Sequence, residues 1–135
     1  MIEINQNVLN EMADHARSLS PVESCGYLAG RDGVITTLFK MTNVDNSPEH
    51  FSFDPKAQFQ VVKDARTAGL TVMGVYHSHP ESPARLSEED LRLLNDPLMV
   101  YVIVSLMTEK PDTKAFRILK NAHNIHVESV EIKGV

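Results

Sequence analysis

The chain has 135 residues, 42% of them hydrophobic and 23% charged, and a formal net charge of −5. This composition is typical of a globular protein and excludes a disordered one, and the length predicts a single domain over residues 1–135. The negative charge gives no general attraction to nucleic acid or to anionic membranes, so neither is an expected partner.

The first part of the chain predicts a helix followed by a β-hairpin. Residues 7–19 carry apolar side chains at helical spacing, namely Val8, Met12, Ala16 and Leu19. Residues 24–30 are small and apolar, residues 34–41 are rich in β-branched side chains, and Arg31-Asp32-Gly33 between them is a turn signal. These two segments therefore predict a pair of antiparallel strands.

The rest of the chain predicts two helices and four strands. Asp54-Pro55 begins a helix that carries Phe59, Val62 and Ala65 and ends at Gly69. A short helix is expected over residues 87–95. The strands are expected over residues 71–79, 99–107, 114–119 and 123–132. This order predicts a mixed β-sheet flanked by helices, an α/β or α+β fold, with residues 71–79 as a central strand.

Cysteine usage and the apolar segments indicate a cytoplasmic protein. The sole cysteine, Cys25, excludes a disulfide within the chain. The first five residues have neither a basic segment nor a long apolar stretch, so they are not expected to form a signal peptide. The longest apolar run, residues 98–107, is much shorter than the roughly 20 residues that span a bilayer.

Two histidines at the end of the predicted central strand form the first candidate site. Side chains at positions i and i+2 of a strand share a face, so His77 and His79 point the same way and Ser78 points the opposite way. Pro80 takes the chain out of the sheet directly after them. The pair can chelate one metal ion, although two histidines alone would be better explained as ordinary surface residues at a strand end.

Asp90 strengthens the interpretation as a metal site. Ser87 and Asp90 have the spacing of a helix capping box, which is a purely structural explanation. However, Asp90 shares a helix face with Leu93 and Leu94, and an inward carboxylate needs a partner such as a metal ion. Two histidines and one carboxylate leave a fourth tetrahedral position free, as in catalytic rather than structural zinc sites.

A catalytic metal site also needs a general base, and Glu23 is the best candidate. A capping box from Ser20 to Glu23 is the alternative explanation. That alternative is poor, because the following segment has glycines at positions 26 and 30 and no helical spacing. Glu23 is therefore expected to be a catalytic residue and not a helix-capping residue.

Together these residues resemble the JAMM metalloprotease motif of the JAB1/MPN/Mov34 family. That motif has an upstream glutamate, His-Ser/Thr-His, seven residues and then Ser-x-x-Asp. Here Glu23 precedes His77-Ser78-His79, seven residues from Pro80 to Leu86 follow, and Ser87 and Asp90 complete the pattern. The chain looks similar to the short stand-alone prokaryotic members, from the first hairpin through the helix at Asp90. The resemblance implies a JAB1/MPN fold, which is thought to be similar to that of cytidine deaminases.

The resemblance also implies a zinc-dependent peptidase or isopeptidase. His77, His79 and Asp90 would hold Zn²⁺. Glu23 would act as general base and then as acid, and Ser87 would donate a hydrogen bond to the oxyanion. Family substrates are ubiquitin or, in prokaryotes, ubiquitin-like β-grasp sulfur-carrier proteins that end in Gly-Gly. The loops at residues 43–49 and 80–86 look too short to grip two ubiquitins, so we expect a small carrier protein or an adduct on its tail.

Several alternatives are left open by the sequence. The chain could be a non-catalytic MPN scaffold that only binds partners, although such relatives lose ligands and all five motif positions are intact here. It could also be a metal-binding regulator without turnover. A nucleoside deaminase needs more cysteines, and an amidohydrolase barrel needs at least about 200 residues. Strand edges also allow a homodimer.

Three further residues could belong to the site. Asn43 and His50 flank a polar loop and could line a substrate groove, but an ordinary loop is at least as good an explanation. Cys25 lies close to Glu23 in the chain and is more typical of a small buried side chain.

Overall fold

The computed structural model describes residues 1–135, with three helices and eight strands. The helices are α1 (Gln6–Leu19), α2 (Pro55–Thr67) and α3 (Glu88–Leu93). The strands are β1 (Ile2–Ile4), β2 (Cys25–Arg31), β3 (Val34–Met41), β4 (Thr71–His79), β5 (Val100–Ser105), β6 (Asp112–Lys120), β7 (Ile125–Val130) and β8 (Ile132–Gly134). No helix is long and apolar enough to cross a membrane.

All eight strands form one mixed sheet in the order β7-β6-β5-β4-β2-β3-β1-β8. The predicted hairpin is confirmed: β2 and β3 pair antiparallel, and Asp32 and Gly33 at the turn have φ of 53° and 78°. Two consecutive positive φ values are typical of a tight hairpin turn that matches the strand twist. The predicted central strand is also confirmed, since β4 lies between β2 and the parallel strand β5.

Helix α1 covers one face of the sheet. The Asn5 side chain accepts a hydrogen bond from the Asn7 N–H at 2.8 Å and caps the helix start. Val8, Met12 and Ala16 are fully buried and pack in the main core cluster together with Tyr76 of β4. Because successive side chains of a strand alternate, Tyr76 faces α1 whereas His77 faces the opposite side.

The opposite face of the sheet is covered by α2 and α3. The Asp54 carboxylate accepts a hydrogen bond from the Ala57 N–H, so α2 begins as predicted. The face of α2 differs from the expectation: Val61 and Ala65 are buried, whereas Phe59 and Val62 are 68% and 43% exposed. Exposed apolar residues on this helix leave part of it available for contact with another molecule.

The last predicted strand is in fact two strands. The expectation of one strand over residues 123–132 is wrong, because β7 ends at Val130 and β8 begins at Ile132 at the far edge of the sheet. Glu131 alone separates them, so the sheet curls until its edges approach each other. The Ile2 N–H donates to the Glu131 carbonyl at 2.7 Å at this junction. The short strand β1 was not predicted at all.

Candidate active site

The end of β4 positions both histidines. The register pairs His77 with Cys25 of β2 and with Ile103 of β5, which holds the strand end on both sides. His77 and His79 are buried and lie on the face of the sheet that α3 covers. Phe51 stacks on His77, with ring centroids 4.7 Å apart, and packs the outer side of the imidazole.

The first turn of α3 brings Asp90 to the two histidines. Ser87 caps the helix, since its Oγ accepts from the Asp90 N–H and its N–H donates to Asp90 Oδ2, both at 3.0 Å. The capping box is therefore present, and the same carboxylate also faces the histidines. Leu94 packs inward near Asp90 as expected, but Leu93 is 52% exposed, contrary to the expectation.

Three ligand atoms converge in a near-equilateral triangle. His77 Nε2 and His79 Nε2 are 3.1 Å apart, and each lies 3.1–3.2 Å from Asp90 Oδ2. Ligand atoms at the usual 2.0–2.1 Å from a tetrahedral zinc ion lie about 3.3 Å from one another. The donor set and its spacing therefore fit a zinc ion with one position left for another ligand.

Hydrogen bonding and burial prepare the histidines to act as ligands. His79 Nδ1 lies 2.8 Å from the Pro83 carbonyl, so it donates there and leaves the Nε2 lone pair facing the triangle. Burial lowers the pKa of His77 and favours the neutral ring, which is the form that binds metals. Burial opposes the charge on Asp90, but the two histidines hold the pKa of Asp90 well below its ordinary value.

Glu23 lies two residues before the start of β2 and lines the same cavity as His79. The side chain is 2% exposed, and its Oε1 atom has no hydrogen-bond partner. Burial raises the pKa of Glu23 to about 8, and the nearby Asp90 and Glu49 carboxylates also raise it while His79 lowers it. A carboxylate with a raised pKa and free oxygen atoms is suited to accepting and returning a proton.

A cavity of about 310 Å³ joins the motif residues to solvent. Its lining residues are all polar or proline, namely Glu23, Pro48, Glu49, His79, Glu81, Ser82 and Ser87. The Ser87 Oγ accepts from a backbone N–H, which leaves its own O–H free to donate into this cavity. Three residues of the motif, Glu23, His79 and Ser87, thus line one accessible space.

Asp90 lines a second cavity, which has a volume of about 520 Å³. Aromatic rings of Tyr27, Phe51, Phe53 and Tyr101 line it, and Val62 and Leu93 form part of its exposed rim. This apolar space adjoins the ligand triangle through Asp90 and through Phe51, which also contacts His77. No sequence pattern indicated it, because its lining residues come from distant parts of the chain.

Among the other candidate residues, Asn43 contacts the main chain of Glu23, whereas His50 and Cys25 lie elsewhere. Asn43 is buried and its side chain binds backbone groups of the 43–52 loop, whereas His50 pairs with Asp45 at 2.9 Å and lines the apolar cavity. Cys25 is fully buried, as expected, and burial raises the pKa of its thiol to about 12. His15 on α1, which is not a candidate, lies on the opposite face of the sheet and is hydrogen-bonded to the Tyr76 hydroxyl.

The chain is similar to known proteins over nearly its whole length. The family model described as prokaryotic homologs of the JAB domain matches residues 5–119. The CysO-cysteine peptidase of Mycobacterium tuberculosis (strain ATCC 25618 / H37Rv) is 31% identical over 125 residues, which cover 90% of this chain and 86% of that protein. The desampylase of Pyrococcus furiosus is 32% identical over 99 residues, which cover 73% of this chain and 69% of that protein.

Two solved structures show the same fold. A Desulfitobacterium hafniense protein has a TM-score of 0.85 and 41% identity, and the match covers 100% of this chain and 94% of that one. A structure described as JAMM, a metalloprotease-like zinc site in the proteasome and signalosome, has a TM-score of 0.64 and 25% identity, with 100% and 98% coverage. The sheet of mixed strands flanked by helices is thus common to these proteins.

Proposed function

The chain belongs to the family of prokaryotic homologues of the JAB domain and is a hydrolase of the JAMM type, and from this premise we propose that it is a zinc-dependent peptidase. We propose that it hydrolyses the peptide or isopeptide bond at the C-terminal Gly-Gly of a ubiquitin-like carrier protein. His77, His79 and Asp90 hold the zinc ion, and Glu23 and Ser87 are the catalytic residues.

The triangle of ligand atoms supports this proposal most strongly. Its sides of 3.1–3.2 Å match the spacing around a tetrahedral zinc ion, and the capping box holds Asp90 in place without any metal. Zinc bound in such a site polarises a carbonyl group and lowers the pKa of a coordinated water molecule. The open cavity beside Glu23 gives the scissile bond access to that position.

Two side chains that line the cavity transfer the proton and stabilise the negative charge that develops during the reaction. The Glu23 carboxylate accepts a proton from the attacking water molecule and then donates it to the amine of the leaving group. The Ser87 O–H donates a hydrogen bond to the carbonyl oxygen as negative charge develops on it. Because Ser87 also caps α3, its hydroxyl is fixed by the helix that carries Asp90.

The exposed apolar residues beside the site support a folded carrier as substrate. Val62 and Leu93 are exposed at the rim of a cavity that is lined by aromatic rings and by Asp90, and Phe59 is exposed on the same helix as Val62. Buried aromatic contacts supply much of the affinity in protein interfaces. Among the relatives, one is named a CysO-cysteine peptidase and another a desampylase, which accords with cleavage of a bond to a small protein.

Mass spectrometry of a cleavage reaction tests the proposed function. The zinc-loaded chain is incubated with β-grasp carriers that end in Gly-Gly and are extended there either by a linear peptide or by a lysine-linked peptide. We expect cleavage directly after Gly-Gly, and the preferred extension identifies the bond as linear or isopeptide. A chain that binds zinc but leaves both extensions intact would contradict the substrate class.

The matched variant for this experiment is Glu23→Gln. It keeps the size of the side chain and all metal ligands, so it should bind zinc as the parent does and lose turnover. A chain that binds no stoichiometric zinc and gains no stability from added zinc would instead be a scaffold that only binds partners. Cleavage by Glu23→Gln at the parent rate would refute the role of Glu23 as the base.

A further inference from the structure

The contacts around Glu23 lead us to infer that Ser78 and Asn43 are positioning residues that hold the general base in place, which rests on the role proposed for Glu23. Neither residue reaches the reacting atoms in this inference. Asn43 binds the main chain of Glu23, and Ser78 binds the main chain of Ser24. Through these contacts they set where the Glu23 carboxylate lies relative to the ligand triangle.

The Glu23 side chain needs such support because it has little of its own. Its Oε1 atom is buried without a hydrogen-bond partner, so the main chain determines the position of the carboxylate. Regular pairing of β2 with β4 begins only at Cys25 and His77. Glu23 therefore lies just beyond the sheet, where the strand ladder no longer fixes it.

Ser78 extends the ladder by one step with its side chain. The Ser78 N–H donates to the Ser24 carbonyl at 3.0 Å, as in a regular antiparallel pair. The Ser24 N–H donates to the Ser78 Oγ at 2.8 Å, and both serines are fully buried. Ser78 lies between His77 and His79, and its hydroxyl is on the opposite face of the strand. The contact with Ser24 therefore connects the residue next to Glu23 to the strand that carries two metal ligands.

Asn43 holds Glu23 from the other side. Its Nδ2 atom donates to the Glu23 carbonyl and to the His50 carbonyl, each at 3.0 Å, and its Oδ1 accepts from the Asp45 N–H at 3.1 Å. The Glu23 N–H donates to the Ser47 carbonyl at 2.9 Å. The loop organised by Asn43 thus binds both backbone polar groups of Glu23, which explains why this asparagine is buried.

Loss of either contact should affect the catalytic step more than substrate binding. A displacement of about 1 Å in a reacting group costs about 10²-fold in rate. Ser78→Ala should therefore lower kcat by about 10²-fold, with KM and zinc affinity close to those of the parent. Ser78→Thr keeps the hydroxyl and should restore most of kcat. Asn43→Ala should lower kcat in the same way.

The test combines steady-state kinetics with amide hydrogen exchange on the full chain. Asn121→Ala is the matched control, since the Asn121 side chain also holds a turn by accepting from two backbone N–H groups, at 2.8 and 2.9 Å, but lies in the β6–β7 hairpin. It should leave kcat unchanged. Combined with Glu23→Gln, Ser78→Ala should cause no further loss of the residual rate, because the base through which it acts is absent.

Two results would overturn the inference. One is a parent-like kcat in Ser78→Ala, and the other is an equal loss on adding Ser78→Ala to Glu23→Gln. Hydrogen exchange in the metal-free protein separates this inference from the proposed function, since it needs no turnover. The Ser24 amide should lose its protection in Ser78→Ala and keep it in Ser78→Thr; unchanged protection in Ser78→Ala would refute the contact even if no carrier is ever cleaved.

Discussion

Replacing Glu23 by glutamine should stabilise the metal-free protein at neutral pH. Burial raises the pKa of Glu23 to about 8, compared with 4.5 when it is solvated. Between these values the folded chain retains a proton that the unfolded chain loses, so the stability of the parent falls as pH rises from 4.5 to 8. At 1.36 kcal/mol per pH unit, this destabilises the parent by about 3 kcal/mol at pH 7.

Glutamine removes this pH-dependent cost and keeps the shape of the side chain. The free energy of unfolding of Glu23→Gln should therefore exceed that of the parent by about 3 kcal/mol at pH 7. For a chain of this length, that difference corresponds to a rise in Tm of about 10 °C. At pH 4.5 the gain should almost disappear, because Glu23 is then protonated in both states. Zinc should also reduce the gain at pH 7, since a nearby dication stabilises the carboxylate.

Thermal unfolding followed by circular dichroism, with chelator present and at several pH values, measures this difference. The control is Glu128→Gln, which removes an exposed carboxylate on β7 and should change Tm little at any pH. Two results would refute the reasoning that the buried Glu23 carboxylate destabilises the metal-free parent. One is a Glu23→Gln variant that is no more stable than the parent at pH 7, and the other is an equal stabilisation at pH 4.5 and pH 8.

Four further results are expected. Asp90→Ala should abolish both zinc binding and turnover, measured by metal analysis and cleavage assays, and a variant that keeps stoichiometric zinc would remove Asp90 from the ligand set. Chelation should inactivate the chain while far-ultraviolet circular dichroism stays unchanged, because the sheet and core do not depend on the metal; cooperative unfolding would make the metal structural. On the acid side, kcat/KM should fall tenfold per pH unit as Glu23 gains its proton, and a profile without that limb would exclude a titrating base. Phe59→Glu should raise KM for a carrier protein about tenfold but leave cleavage of a short Gly-Gly peptide unchanged, and equal effects on both substrates would exclude docking on α2.

Local patterns explain why most of the fold could be predicted. The spacing of Val8, Met12 and Ala16 gave α1, and the paired positive φ values at Asp32 and Gly33 suit the turn that the sequence predicted. The buried face of α2 could not be found this way, because Val62 borders an open cavity and Phe59 is exposed to solvent. Apolar spacing cannot distinguish burial inside the protein from exposure at a binding surface.

Tertiary pairing determined the parts that the sequence did not reveal. Strand β1 has three residues, too few for any periodicity, and exists because it pairs with β3 and β8. The break at Glu131 follows from the curl of the sheet. At the site, fixed spacing identified the ligand and base candidates, but the role of Asn43 depends on carbonyl groups at residues 23 and 50 that only the folded loop brings together.

Zinc reconstitution tests the central claim most directly. Metal-free chain is titrated with zinc while cleavage of a carrier extended beyond its Gly-Gly terminus is measured. The account predicts no cleavage without metal, a linear rise as zinc is added, and a plateau at one zinc ion per chain. Full cleavage in the absence of metal, or no cleavage with one zinc ion bound, would contradict it.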